Sequence, residues 1–299
     1  MGNGASYLEL TEAEWQEKIK RAQAHLKECR LCPRECAVDR TTAKGVCRAG
    51  AQAVVASFGP HFGEESVLVG SWGSGTIFFA HCNLRCVFCQ NYQLSLLGQG
   101  SPVHSEQLAT IMLIIQDRYR CPNINLVTPI HFIPQILEAL WIAAQRGLHI
   151  PLVYNCGGYE RVEVLRILEG VVDIYMPDLK YASAEQAHRY SQAADYFQQA
   201  RLALKEMDRQ VGGLKLNRAG VAQRGLLIRH LLLPGGLEDT KQVLEFIGSE
   251  LSPDCLVNLM DQYYPCYQAS DYPELSRRVS REEFRAAADY AQQLGLRLA

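Results

Sequence analysis

No run of apolar residues in the 299-residue chain reaches the roughly 18 needed by a membrane-crossing helix, so no membrane association is expected. Excess charge of one sign is missing too. Thirty Lys+Arg face 32 Asp+Glu, a formal net charge of -2, which argues against an electrostatic nucleic-acid binder. No charged-then-apolar secretory leader opens the chain, and a cytoplasmic location is the expectation. Cysteine, at 11, is too sparse for a disulfide scaffold. Seven of the 11 nevertheless fall in two tight groups, Cys29, Cys32, Cys36 and Cys47, then Cys82, Cys86 and Cys89. Clustered thiols in a reducing compartment read as metal ligands. The opening Met1-Gly2-Asn3-Gly4-Ala5-Ser6 fits the N-myristoylation pattern, but six residues match readily, and an unmodified terminus is the simpler reading.

The rest of the composition, 48% hydrophobic and 21% charged, is that of a globular protein with a large core. Thr11 and Glu14 form a capping box ahead of Trp15, Ile19, Ala22 and Leu26 at helical spacing. From Cys29 to Gly75 the text is irregular, with a short apolar stretch over 53–58. Residues 1–70 therefore read as an N-terminal extension stapled by a metal. After it, apolar runs at 76–80, 125–128, 150–155, 171–176, 226–233 and 256–260 alternate with helical segments at 104–119, 134–146, 161–168, a long region opening at Ser183, 241–247 and a last helix capped by Ser280 and Glu283. Short, continuously apolar strands indicate burial of both faces. Repeated strand–helix units force parallel pairing. The expected fold is α/β: a partial (β/α)6 barrel over 71–299 with a Cys-rich N-terminal extension, its chemistry at the C-terminal strand ends.

His81-Cys82-Asn83-Leu84-Arg85-Cys86-Val87-Phe88-Cys89-Gln90-Asn91 follows the first of these strands with C-x3-C-x2-C spacing. Three thiolates on one loop can hold three irons of a cubane cluster and leave the fourth iron open. A structural zinc site is usually closed by four ligands. Asn83, Arg85 and Gln90 would be poor company for plain core thiols.

The C-x3-C-x2-C spacing, with Phe88 directly before the third cysteine, resembles the signature of the radical S-adenosylmethionine (SAM) superfamily. The branch it is most similar to is that of pyruvate formate-lyase activating enzyme-like proteins, related to the activators of glycyl-radical enzymes. The resemblance implies a [4Fe–4S] cluster on Cys82, Cys86 and Cys89 that binds SAM and cleaves it reductively. The resulting 5′-deoxyadenosyl radical would abstract hydrogen from a protein or peptide substrate. It also implies a low-potential electron donor such as flavodoxin or ferredoxin. The alternatives are a small-molecule substrate on the same fold, or an iron–sulfur electron-transfer protein without SAM chemistry.

The same resemblance assigns cofactor-binding positions. Asp178 and Lys180, in Met176-Pro177-Asp178-Leu179-Lys180, look like the family's Asp-x-Lys at the fourth strand end. Arg229, inside Arg229-His230-Leu231-Leu232-Leu233-Pro234-Gly235, is a lone cation in an apolar strand and needs an anionic partner; a SAM carboxylate would serve. His230 points to the opposite face, as a core histidine or a ligand. Asn155 ends the third strand before Gly157 and Gly158. The family often carries Gly-Gly-Glu after the second strand, against the SAM amino group. Here Thr128-Pro129-Ile130-His131 stands in that place, and the Thr128 hydroxyl and nearby carbonyls are the substitutes. Cys266 reads as a core thiol, and Cys121, Cys156 and Cys255 as filler. Cys29, Cys32, Cys36 and Cys47 could close a tetrahedral zinc site or hold an auxiliary iron–sulfur cluster. Arg34, Arg40, Lys44 and Arg48 would offset the charge of their thiolates.

Overall fold

A computed structural model describes residues 4–299; residues 1–3, where the myristoylation pattern begins, lie outside the described residues. Among the described residues ten strands follow in chain order: β1 (Ala53–His61), β2 (Ser74–Phe79), β3 (Ser101–Val103), β4 (Ile124–Val127), β5 (Leu152–Cys156), β6 (Ile174–Pro177), β7 (Lys215–Leu216), β8 (Ala222–Leu231), β9 (Leu256–Met260) and β10 (Arg297–Leu298). All six strands expected from the apolar runs are present, as β2, β4, β5, β6, β8 and β9. They pair in parallel in that order. Strands β4, β5 and β6 are buried at every position, which is why their text is continuously apolar rather than alternating.

The sheet extends beyond these six. Its order is β10-β9-β8-β6-β5-β4-β2-β1-β3, with β7 paired to β8 off that path. Both β1 and β3 are antiparallel additions, so the architecture is α/β with a large, mostly parallel sheet. Gly59 and Pro60 obscure β1 in the sequence. Strand β3 pairs only with Ala53–Val55, so Pro60, opposite Gly75 of β2, has a partner strand on one side alone, as prolines in sheets usually do. The boundary near residue 70 thus lies between two strands, β1 and β2, that are hydrogen-bonded to each other.

The first helix, Glu12–Ala24, has the expected capping box: Thr11 accepts from the Glu14 N–H and Glu14 accepts from the Thr11 N–H. Two other helices differ from expectation. The segment over 104–119 is helical only at Ser105–Leu113 and widens into a π turn at Ile114–Arg118. That turn carries Gln116 inward, where its amide donates to Gly147 O (3.1 Å) and accepts from His149 N (2.8 Å). The long region after Ser183 is two helices, Ala184–Ser191 and Tyr196–Val211, broken where Gln192 adopts a left-handed φ of 54°.

Residues 25–52 contain no regular element. Cys29, Leu31, Cys32, Cys47 and Ala49 of this stretch are nevertheless buried in the main hydrophobic core. Arg40, 2% exposed, ties it inward by donating to the carbonyls of His131 and Gly50. Gly45 packs closely on the cysteine group: a Cβ there would stand 2.6 Å from Cys36 Sγ and would force that side chain to shift. Among the described residues no helix is long and apolar enough to cross a membrane.

Candidate functional site

The loop that leaves β2 turns sharply at His81, whose φ of 73° is left-handed for a non-glycine residue. It then lies against the Gln192 break, where Arg85 N donates to Ser191 O (3.2 Å) and Val87 N to Tyr190 O (2.9 Å). The unexpected break between the two helices is therefore what supports the cysteine loop. Each thiol has a polar neighbour on this frame. Leu84 N donates to Cys82 Sγ (3.4 Å), Ser191 Oγ donates to Cys86 Sγ (3.0 Å), and Cys89 Sγ lies 3.0 Å from Ser95 Oγ.

Cys82, Cys86 and Cys89 line one cavity of about 370 Å³, within the size range of small-molecule sites. The same cavity is lined by Phe88, Thr128, Asn155, Asp178, Lys180 and Arg229, so every cofactor-binding residue expected from the sequence opens onto it. Burial pushes the Cys82 thiol up to about 12 and the Cys89 thiol up to about 11. Left alone, both are protonated at neutral pH; coordination to a metal is what deprotonates such thiols.

The strand ends contribute an ion-pair network. Asp178 follows β6 and forms an isolated parallel bridge with Arg229 of β8. Arg229 Nε donates to Asp178 Oδ1 (2.8 Å), Lys180 Nζ to Asp178 Oδ2 (2.6 Å), and Arg229 Nη2 to Asn155 Oδ1 (2.8 Å). Burial works against the Asp178 charge, but Arg229 and Lys180 outweigh it and hold its pKa below the usual range. For Lys180 too, burial opposes the charge and Asp178 more than restores it. The fully buried Tyr196 hydroxyl fixes this corner: it accepts from Lys180 N (2.9 Å) and lies 2.8 Å from the carbonyls of Gly157 and Asp178. Thr128, at the end of β4, takes a left-handed φ of 58° and bonds through its N–H to Asn155 O (2.8 Å). Phe88 closes the cavity floor, edge-on to Tyr181 and Tyr263 at 6.4 and 5.9 Å.

His230 turns away from the cavity. Its two ring nitrogens meet Leu179 O (2.6 Å) and Thr240 Oγ1 (2.9 Å), and burial lowers its pKa to about 4, so it is a neutral core histidine. Cys266 Sγ donates to Phe88 O (3.2 Å) behind the cysteine loop.

In the first cysteine group, Cys29 lies within electrostatic reach of Cys36 and Cys47, and Cys32 of Cys29 and Cys47. Burial raises both Cys29 and Cys32. Among the described residues, no three His, Cys, Asp or Glu side chains gather tightly enough to hold a single metal ion. The chemistry of the donor sets, three thiols on one cavity and four on one loop, suits a polynuclear iron–sulfur group at the first and leaves metal type open at the second. Arginines bridge the two groups. Arg34, between Cys32 and Cys36, donates to Asn83 O (3.0 Å) and Ser191 O (3.3 Å), and Arg85 of the cavity loop donates to Val46 O beside Cys47.

Two residues carry no sequence signal, one lining the cavity and one supporting its wall. Glu64 lines the cavity from the turn after β1, a stretch of text without periodicity. Tyr196 reads in sequence as an ordinary helical aromatic.

No family model matches the chain. It is 33% identical over 291 residues to the uncharacterized protein MJ0674 of Methanocaldococcus jannaschii, covering 94% of this chain and 79% of that protein. It is 22% identical over 298 residues to a second uncharacterized protein of the same organism, MJ0808, covering 92% of this chain and 83% of that one. Among solved structures, it is similar to a domain of a pyruvate-formate lyase-activating enzyme from Bacteroides vulgatus. That match has a TM-score of 0.38 and 15% identity, and covers 54% of this chain and 85% of the other.

Proposed function

The chain belongs to the family of the uncharacterized M. jannaschii protein MJ0674, and we propose that it is a radical SAM enzyme. One observation carries the reading: the three C-x3-C-x2-C thiols and the Asp178–Lys180–Arg229–Asn155 network open onto one cavity at the C-terminal strand ends. A [4Fe–4S] cluster on Cys82, Cys86 and Cys89 supplies, when bound, reductive cleavage of SAM and hydrogen abstraction from a substrate. The chain's own residues bind and orient. Lys180 and Arg229 supply cations for an anionic group, and Asp178 fixes both of them. Asn155 sets the guanidinium plane, the Thr128 hydroxyl offers a polar contact, and Phe88 excludes water from the thiols.

The fold reading that goes with this activity is a partial (β/α)6 barrel over 71–299 with the Cys-rich extension before it. Cys29, Cys32, Cys36 and Cys47 hold a second metal, zinc or an auxiliary iron–sulfur cluster. The substrate is a protein or peptide, as in glycyl-radical activation, and the electron donor a flavodoxin or ferredoxin.

The test is turnover after anaerobic reconstitution with iron and sulfide. Wild-type protein given dithionite and SAM is expected to yield 5′-deoxyadenosine, and Cys82→Ala to yield none above background. A wild-type protein that loads iron but cleaves no SAM, or a Cys82→Ala variant that keeps the activity, sinks the reading. A glycyl-radical signal on a protein co-purified under anaerobic conditions identifies the substrate class.

A further inference from the structure

Three carboxylates meet two cations at the rim of the cavity, and the account does not balance. Asp178 is satisfied by Lys180 and Arg229. Glu64 and Glu65 approach the same guanidinium, Arg229 Nη1, at only 3.7 and 3.8 Å, beyond hydrogen-bond distance. Their side chains are 7% and 6% exposed. Glu64 Oε1 meets His61 Nδ1 at 3.1 Å on the solvent side. Glu64 Oε2 accepts no hydrogen bond among the described residues, although Glu64 lines the cavity. Behind it Glu65 Oε1 accepts from Asn258 Nδ2 (3.1 Å), and Glu65 Oε2 is buried without a partner. Burial raises the pKa of Glu64, Arg229 opposes that only in part, and Glu65 adds to it. A buried carboxylate in this position is costly until a cation reaches it. Thr128, at the end of β4, brings no charge.

We infer that Glu64 is the binding residue for an ammonium group of the ligand, with Lys180 and the adjacent Arg229 taking the ligand's anionic group. The ligand class is one carrying an α-amino-acid moiety. This deepens the proposed function and rests on it, since SAM has that moiety. Glu64 comes from the turn after the antiparallel strand β1, so the ammonium subsite is built by an element outside the run of parallel strands.

The test is binding, not turnover, on anaerobically reconstituted protein with its iron content measured. The probes are S-adenosylhomocysteine and its analogue with the amino group replaced by hydrogen, compared by equilibrium dialysis. Wild-type protein is expected to favour the amino compound, and Glu64→Gln to lose about tenfold or more of affinity for it while holding the deaminated analogue unchanged. Glu64→Asp, which keeps the charge, is expected to lose less. If Glu64→Gln weakens both probes equally, Glu64 only props Arg229 and the inference is overturned; unchanged affinity for both overturns it as well. An iron-loaded wild-type protein that binds neither probe overturns the proposed function, and this inference with it.

Discussion

At Asp178 and Glu160 burial acts alike, and their neighbours decide opposite outcomes. Asp178 has two cations on its oxygens, so its pKa falls below the ordinary 3.8. It contributes stability in full above about pH 4 and loses it as the pH falls through the folded value. Asp178→Asn removes the carboxylate that Lys180 and Arg229 both hydrogen-bond, and leaves Arg229 only the longer contacts to Glu64 and Glu65. With all three side chains about a fifth exposed, the expected cost is roughly 1–3 kcal/mol in urea unfolding at pH 7. Glu160 is 1% exposed, with the Tyr154 hydroxyl donating to it (2.8 Å), and burial raises it from 4.5 to about 7. The folded state therefore holds its proton, so the stabilisation is full below pH 4.5 and lost as the pH rises through 7. Glu160→Gln is expected to remove this loss. Between pH 5 and pH 8 wild-type stability should fall by up to roughly 3 kcal/mol more than that of the variant. Parallel curves for the two would refute the assignment.

Elements set where these residues can stand. Gly158, just past β5, has a φ of 78°, and a Cβ there would lie 2.3 Å from Asp178 O and 2.8 Å from the Tyr196 hydroxyl. Gly158→Ala must push the Asp178 strand end away from Tyr196. A loss on the order of 2 kcal/mol or more is expected, read as a lower Tm together with weaker binding at the cavity. Thr11→Ala tests an element far from the site: losing the cap of Glu12–Ala24 should cost about 1 kcal/mol and leave the cavity unaffected. Legibility differed between elements for physical reasons. Strands buried on both faces advertise themselves as apolar runs, so β2, β4, β5, β6, β8 and β9 were readable with small errors at their ends. Strand β1 was not, because it carries Gly59 and Pro60 and is largely exposed from Ser57 onward. The break at Gln192 was not either, since its left-handed turn is held by the loop it supports.

Over the whole molecule the N-terminal stretch behaves as part of the cavity's frame. Residues 25–52 have no regular element, yet Arg34 and Val46 bond directly to the Cys82–Cys89 loop and its support. A double Cys29→Ser, Cys32→Ser variant is expected to lose one bound metal, keep the iron of the second group, and unfold at a lower Tm. Metal analysis then separates zinc from an auxiliary iron–sulfur cluster, and unchanged metal content and Tm would refute a metal there. The sequence by itself determined the parallel α/β order and the C-x3-C-x2-C loop. It also determined the strand-end positions of Asn155, Asp178 and Arg229, because periodicity and spacing are local properties of the chain. Only the tertiary structure decided that these residues share one cavity, that His230 faces the core, and that Glu64 joins the site from β1's turn. Those outcomes depend on strand pairing and on charge balance between segments more than 100 residues apart, which no window of sequence contains.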